Sequence, residues 1–199
     1  MLCDPHAVKV AALIAVCVVI AGAVVIGLTQ AGGQDKAQTT APSLSEAQQQ
    51  LAGSPPRLAA LHSQAGELLP GALPALKDRL RELRGFPVVV NVWASWCGPC
   101  RLEMPTLQQV SARRGKEVAF IGVNLKDNVD AARRFIRSFP VTYPSYEDPD
   151  GKIFNYYGLA GAPSTIFIRP DGSREYVHSG PYRTAAALNA DIDRYALGR

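Results

Sequence analysis

The longest apolar stretch in the chain is residues 10–28, VAALIAVCVVIAGAVVIGL, which carries no charged side chain. At about 1.5 Å per helical residue this run spans roughly 28 Å, close to the hydrocarbon thickness of a bilayer. It predicts a membrane-spanning helix, and residues 1–30 are assigned to an N-terminal anchor. Cleavable signals usually have a shorter apolar core, about 7–15 residues, so the anchor is expected to stay attached. Thr29-Gln30-Ala31 is the one place where a small-residue cleavage site is mimicked. Lys9 and the amino terminus precede the run and Lys36 follows it. That balance slightly favours a cytoplasmic N-terminus, with the remainder outside.

Residues 31–70 change character. Ala, Gln, Ser, Thr, Pro and Gly dominate and apolar periodicity is weak, so the segment predicts a flexible linker with incipient helix around 44–51. Residues 71–199 alternate strand and helix patterns. Leu76, Leu80 and Leu83 share one face of a predicted helix over 74–84, with Pro74 near its start and Gly85 just past its end. Residues 88–93, VVVNVW, form the near-continuous apolar run of a strand buried on both faces. A helix over 97–113 follows, which Pro105 is expected to kink. A second central strand covers 118–124. The next helix, 129–139, carries Ala131/Ala132, Phe135/Ile136 and Phe139 near one stripe. Asp148-Pro149-Asp150-Gly151 reads as a turn, 153–157 as a short helix, 165–168 and 173–178 as a hairpin, and 184–195 as a closing helix with Thr184 at its N-cap.

Composition narrows the function. Apolar residues make up 47% and charged residues 19%, which suits a globular domain with a membrane segment. Net charge is +4, but no basic run is interleaved with aromatics, so nucleic acid is not an expected partner. Of the four cysteines, Cys3 and Cys17 fall in the N-terminal segment. Only Cys97 and Cys100 remain, too few for a disulfide-stapled scaffold.

Cys97-Gly98-Pro99-Cys100 separates the buried run 88–93 from the helix that follows. A C-x-x-C pair between a strand and a helix start reads as a redox site. Backbone N–H groups there lack partners and the helix dipole adds partial positive charge, so a thiolate on Cys97 is favoured. The thiolate is the form that attacks a disulfide. Cys100, one turn deeper, is close enough to complete an intramolecular disulfide and release the substrate. A zinc site would need a second Cys/His pair at ligand spacing, which is absent.

The wording from Asn91 to Pro105, NVWASWCGPCRLEMP, resembles the thioredoxin superfamily and, within it, the TlpA/ResA-like branch. Members of that branch are membrane-tethered thiol–disulfide oxidoreductases working outside the cytoplasm, many in cytochrome c maturation. The resemblance covers roughly residues 73–199. It implies an α/β thioredoxin fold, a central mixed sheet flanked by helices, with the branch's central insert over about 126–157. It implies no cofactor. The implied partners are a disulfide-containing client protein, apocytochrome c being a frequent one in the family, and a transmembrane thiol electron donor. Relatives often have a β-hairpin where 74–84 reads here as helix, which leaves the first strand of the domain unplaced.

The same resemblance assigns roles to single residues. Pro163, in Gly161-Ala162-Pro163-Ser164-Thr165, takes the place of a cis proline beside the cysteines, and X-Pro is where a cis bond is cheap. The Ala162 backbone is then free to pair with an extended client peptide. Trp96 would shield the thiolate and touch the client, while Trp93 packs in the core. Glu103 lies three residues after Cys100 on the same helix face. Relatives carry a glutamate there to handle the proton of the buried cysteine. Enclosure would raise its pKa and suit it to general base work near neutrality; the plainer alternative is an exposed first-turn acid. Asn91 stands where thioredoxins themselves have a buried aspartate. His178, on a hairpin strand, reads as structural.

Reduction of client disulfides is the expected direction, because Gly98 and Pro99 add no cationic or imidazole partner to Cys97. A disulfide donor of the same fold is the alternative. A copper metallochaperone would carry C-x-x-x-C with a placed His, and a peroxide reductase would carry Thr or Ser three residues before the reactive cysteine, where Ala94 stands.

Overall fold

The computed structural model describes residues 41–199. The expected membrane run, residues 10–28, lies outside them. Among the described residues no helix is long and apolar enough to cross a membrane.

The strands β1 (Leu68–Leu69), β2 (Val88–Trp93), β3 (Ala119–Leu125), β4 (Ser145–Asp148), β5 (Ser164–Ile168) and β6 (Arg174–Ser179) form one sheet in the order β1-β4-β3-β2-β5-β6. Pairings from β1 through β2 are parallel, and β2–β5 and β5–β6 are antiparallel. The helices are α1 (Leu44–Leu51), α2 (Pro56–His62), α3 (Ala72–Glu82), α4 (Gly98–Arg114), α5 (Val129–Ser138), α6 (Lys152–Tyr157) and α7 (Ala185–Asp191). This is the mixed, helix-flanked sheet of a thioredoxin-like fold.

β2 lies at the centre of the sheet, and all six of its positions are buried. Its alternation feeds two cores. Val89 and Trp93 join Met104, Leu107, Phe135 and Leu188 on the α4 side. Val88, Val90 and Val92 join Leu76, Ile121, Val123 and Ile166 on the other. Pro105 lies inside α4, and the helix continues through it to Arg114.

The largest departure from the sequence reading lies before residue 71. Residues 44–69 are not a linker but part of the folded body. Ser43 caps α1 through a reciprocal pair: its Oγ accepts from the Glu46 amide at 3.3 Å, and Glu46 Oε2 accepts from the Ser43 amide at 2.8 Å. Leu58 and Leu61 on α2 are fully buried in the second core, each worth about 1.5–3 kcal/mol by area removed from water. α1 meets the end of α4 at Gly115, where a Cβ would come within 2.6 Å of Leu51 Cδ2. The missing first strand is β1, two residues long, paired with β4 in the register Leu68↔Ser145. β4 itself was not anticipated. The closing helix is shorter than expected, ending at Asp191 and passing into a wider π-type turn over Ile192–Ala196.

Candidate active site

The C-terminal end of β2 delivers Ala94, Ser95 and Trp96 to the start of α4. Cys97 is the N-cap, with φ −83° and ψ 104°, and its sulfur accepts the Cys100 amide at 3.2 Å. Pro99 in the first turn forfeits no hydrogen bond, since first-turn N–H groups have no helical partner. Cys97 and Cys100 are joined by a disulfide with an S–S distance of 2.07 Å. Their exposure is 4% and 0%. Cys97 is thus nearly enclosed and Cys100 wholly so.

Around the pair, Trp96 stands 60% exposed and its Nε1 donates to the Lys126 carbonyl at 3.2 Å. Trp93 is buried, stacked on Phe135 at 4.8 Å, with Nε1 donating to Ser145 Oγ at 3.1 Å. Gly122 makes room for that bond, since a Cβ there would clash with the Ser145 side chain. Asp127 ties down the loop before Cys97, accepting from the Ser95 amide at 2.5 Å and from Ser95 Oγ at 2.6 Å. Its carboxylate also accepts from Asn124 Nδ2 at 2.9 Å. Arg101 closes the loop from the other side, donating to the Ser95 carbonyl at 2.7 Å. Nothing in the sequence pointed to Asp127, because the Ser95 groups it holds sit 32 residues upstream.

The Ala162–Pro163 peptide bond is cis. Ala162 is half-buried and packs against both cores. Neither its amide nor its carbonyl is bonded to another backbone group among the described residues.

Glu103 is fully buried beneath the pair. Its Oε1 accepts from Asn91 Nδ2 at 2.7 Å and its Oε2 from the Tyr182 amide at 3.2 Å. Burial pushes its pKa up to about 7, and the two hydrogen bonds only partly oppose that shift. The exposed first-turn reading is thereby corrected. Asn91 meets the cysteine helix through Glu103. The Tyr182 contact comes from 79 residues away and left no sequence signal. Among the described residues no group of three or more His, Cys, Asp or Glu is placed to hold a metal ion.

The model of the redoxin family matches residues 69–192. The thiol-disulfide oxidoreductase ResA of Oceanobacillus iheyensis is 34% identical over 103 residues, covering 51% of this chain and 54% of that protein. The thiol:disulfide interchange protein DsbE of Pseudomonas fluorescens biotype C is 40% identical over 92 residues, covering 46% and 50%. The chain thus spans about half the length of these curated relatives. A solved structure of a secreted Mycobacterium tuberculosis disulfide oxidoreductase aligns with a TM-score of 0.51 at 28% identity, covering 56% of this chain and 84% of that one.

Proposed function

The chain belongs to the redoxin family, and on that premise we propose that it is a thiol–disulfide oxidoreductase, anchored by residues 10–28, that reduces client disulfides outside the cytoplasm. One observation carries the reading: a C-x-x-C pair caps a helix start, with a sealed glutamate of raised pKa one turn below it.

In the reduced protein the Cys97 thiolate attacks a client disulfide, forms a mixed disulfide and expels one client thiolate. Cys100 is buried, so its thiol needs a base. Glu103 takes that proton, and a carboxylate with a pKa of about 7 is matched to the task at neutral pH. The Cys100 thiolate then attacks the Cys97 sulfur, closes the disulfide and releases the second client thiolate. Trp96 and the free backbone of Ala162 beside cis-Pro163 hold the client strand. A transmembrane thiol carrier restores the dithiol. Apocytochrome c is the client favoured by the resemblance of the 91–105 segment.

A Cys100→Ser variant tests the order of events, since it should accumulate client protein disulfide-linked to Cys97. Trapping through position 97 in the membrane fraction, with a reporter after Arg199 active only outside the cytoplasm, supports the reading. Equilibration with glutathione tests direction: a potential well above about −180 mV would make the protein a disulfide donor instead.

A further inference from the structure

Glu103 has no exposed surface, yet a base that accepts a proton in every cycle must return it to water. The sheet beneath α4 offers a way out. Asn91 on β2 lies opposite Thr165 on β5, and Thr165 lies opposite His178 on β6. Directly opposed residues of antiparallel strands share a face, with Cβ atoms about 4.5–5.5 Å apart. That face is the α4 side, since Val89, Trp93 and Phe167, two residues away in each strand, belong to the α4-side core. A polar row therefore crosses an otherwise apolar face, starting at the residue hydrogen-bonded to Glu103.

Two atoms in this row are buried without a partner, Asn91 Oδ1 and Thr165 Oγ1. Orphaned buried polar atoms of this kind are ordinarily satisfied by internal water. The row ends at His178, whose side chain is 29% exposed and whose ring stacks on Tyr182 at 4.1 Å. Tyr182 in turn donates its amide to Glu103.

We propose that internal water at Asn91 Oδ1 and Thr165 Oγ1, together with the Thr165 hydroxyl and the His178 imidazole, carries the proton between Glu103 and solvent. The step rests on the reading of Glu103 as the base for Cys100. Protonated Glu103 gives its proton to the water. That water passes one to the Thr165 hydroxyl, which gives up its own through a second water to the His178 imidazole, since Thr165 Oγ1 has no protein partner. The imidazolium releases it to bulk water, so the net change is one proton moved from Cys100 to solvent. Thr165 and His178 are positioning and relay groups and do not touch the client. The groups facing His178 are Asp191, whose Oδ2 is 3.9 Å from Nδ1, Tyr182, and Tyr176 two residues earlier on the strand. Tyr143 and Tyr182 are the phenols that sense the Glu103 charge. Burial holds both far above the usual tyrosine range, and the Tyr182 hydroxyl is already committed to Asp191 Oδ2.

The test follows resolution of a preformed mixed disulfide on Cys97 in the full chain, from pH 5.5 to 8.5, in weakly buffered solution. Glu103→Gln should slow it by roughly a hundredfold, the low end for a positioned proton-transfer group, and His178→Ala and Thr165→Val by about tenfold each. Added imidazole should restore the His178→Ala rate and leave Thr165→Val slow. A wild-type rate and pH profile in either relay variant overturns the route while the Glu103 reading stands. Slowing of His178→Ala that imidazole does not relieve also overturns it, and assigns His178 to supporting Tyr182. An unchanged Glu103→Gln rate removes the reading on which the route depends.

Discussion

The two faces of the central sheet are built by alternate residues of the same strands, and they differ in kind. On the α2/α3/α6 side, Val88, Val90, Val92, Ile121, Val123, Ile166 and Ile168 make a dry aliphatic layer. On the α4 side the same strands present Asn91 and Thr165 among Trp93, Phe120 and Phe167, with Glu103 pressed down from above. A one-residue step along β2 therefore separates a position that only stabilises from one that only makes sense chemically. Buried polar groups cost free energy unless bonded, so the proposed proton handling would draw on stability at this one face.

The sharpest way to break the contrast is Cys97→Ser, which should abolish turnover of a disulfide-bonded substrate. Retention of turnover in that variant would remove the α4 face from the chemistry altogether. Ile166→Ala, on the dry face, should cost about 2–5 kcal/mol in urea unfolding. Its pH profile for exchange should match the wild type, and a shifted profile would mean that the faces are coupled.

Glu103 sharpens the comparison through pH. Its carboxyl is raised from 4.5 to about 7 in the folded protein. Between those values the native state holds a proton that the unfolded chain has lost, so this contribution is full below pH 4.5 and gone by about pH 7. With the disulfide kept oxidised, Glu103→Gln should lack that loss and gain about 3 kcal/mol on the wild type across the interval, from roughly 2.5 pH units at about 1.36 kcal/mol each. Parallel stability curves from pH 4 to 8 would show that Glu103 is solvated. The smallest effect is expected outside both faces: Ser43→Ala, which removes the α1 cap, should cost about 1 kcal/mol and leave exchange untouched.

What was legible in the sequence was local or periodic. β2 announced itself through the apolar run VVVNVW over 88–93, and the redox pair through its spacing and its place at a helix start. Glu103 was found because helical spacing puts it on the face of Cys100 and the family resemblance gives a glutamate there a role. What was missed depends on distance along the chain. α1 and α2 are short and set among Gln, Ser, Gly and Pro, so composition reads as linker; only their fit against Gly115 and the second core makes them part of the body. β1 has two residues, too few for any pattern, and exists because β4 is there to pair with it. Tyr182 and Asp127 reach the site through a backbone amide and a loop carboxylate, and neither leaves a periodicity.

The sulfur that caps α4 ties the helix to the redox state. Cys97 Sγ accepts the Cys100 amide, so any change in charge on that sulfur is felt by the first turn, and any substitution that loosens the first turn is felt by the sulfur. Oxidation and unfolding then form a closed thermodynamic cycle. Whatever free energy separates the folding stabilities of the oxidised and reduced chains, measured against the same unfolded couple, must appear in the reduction potential. For a two-electron pair, about 30 mV corresponds to about 1.4 kcal/mol. Paired denaturation curves of the two forms are therefore an electrochemical measurement made without an electrode.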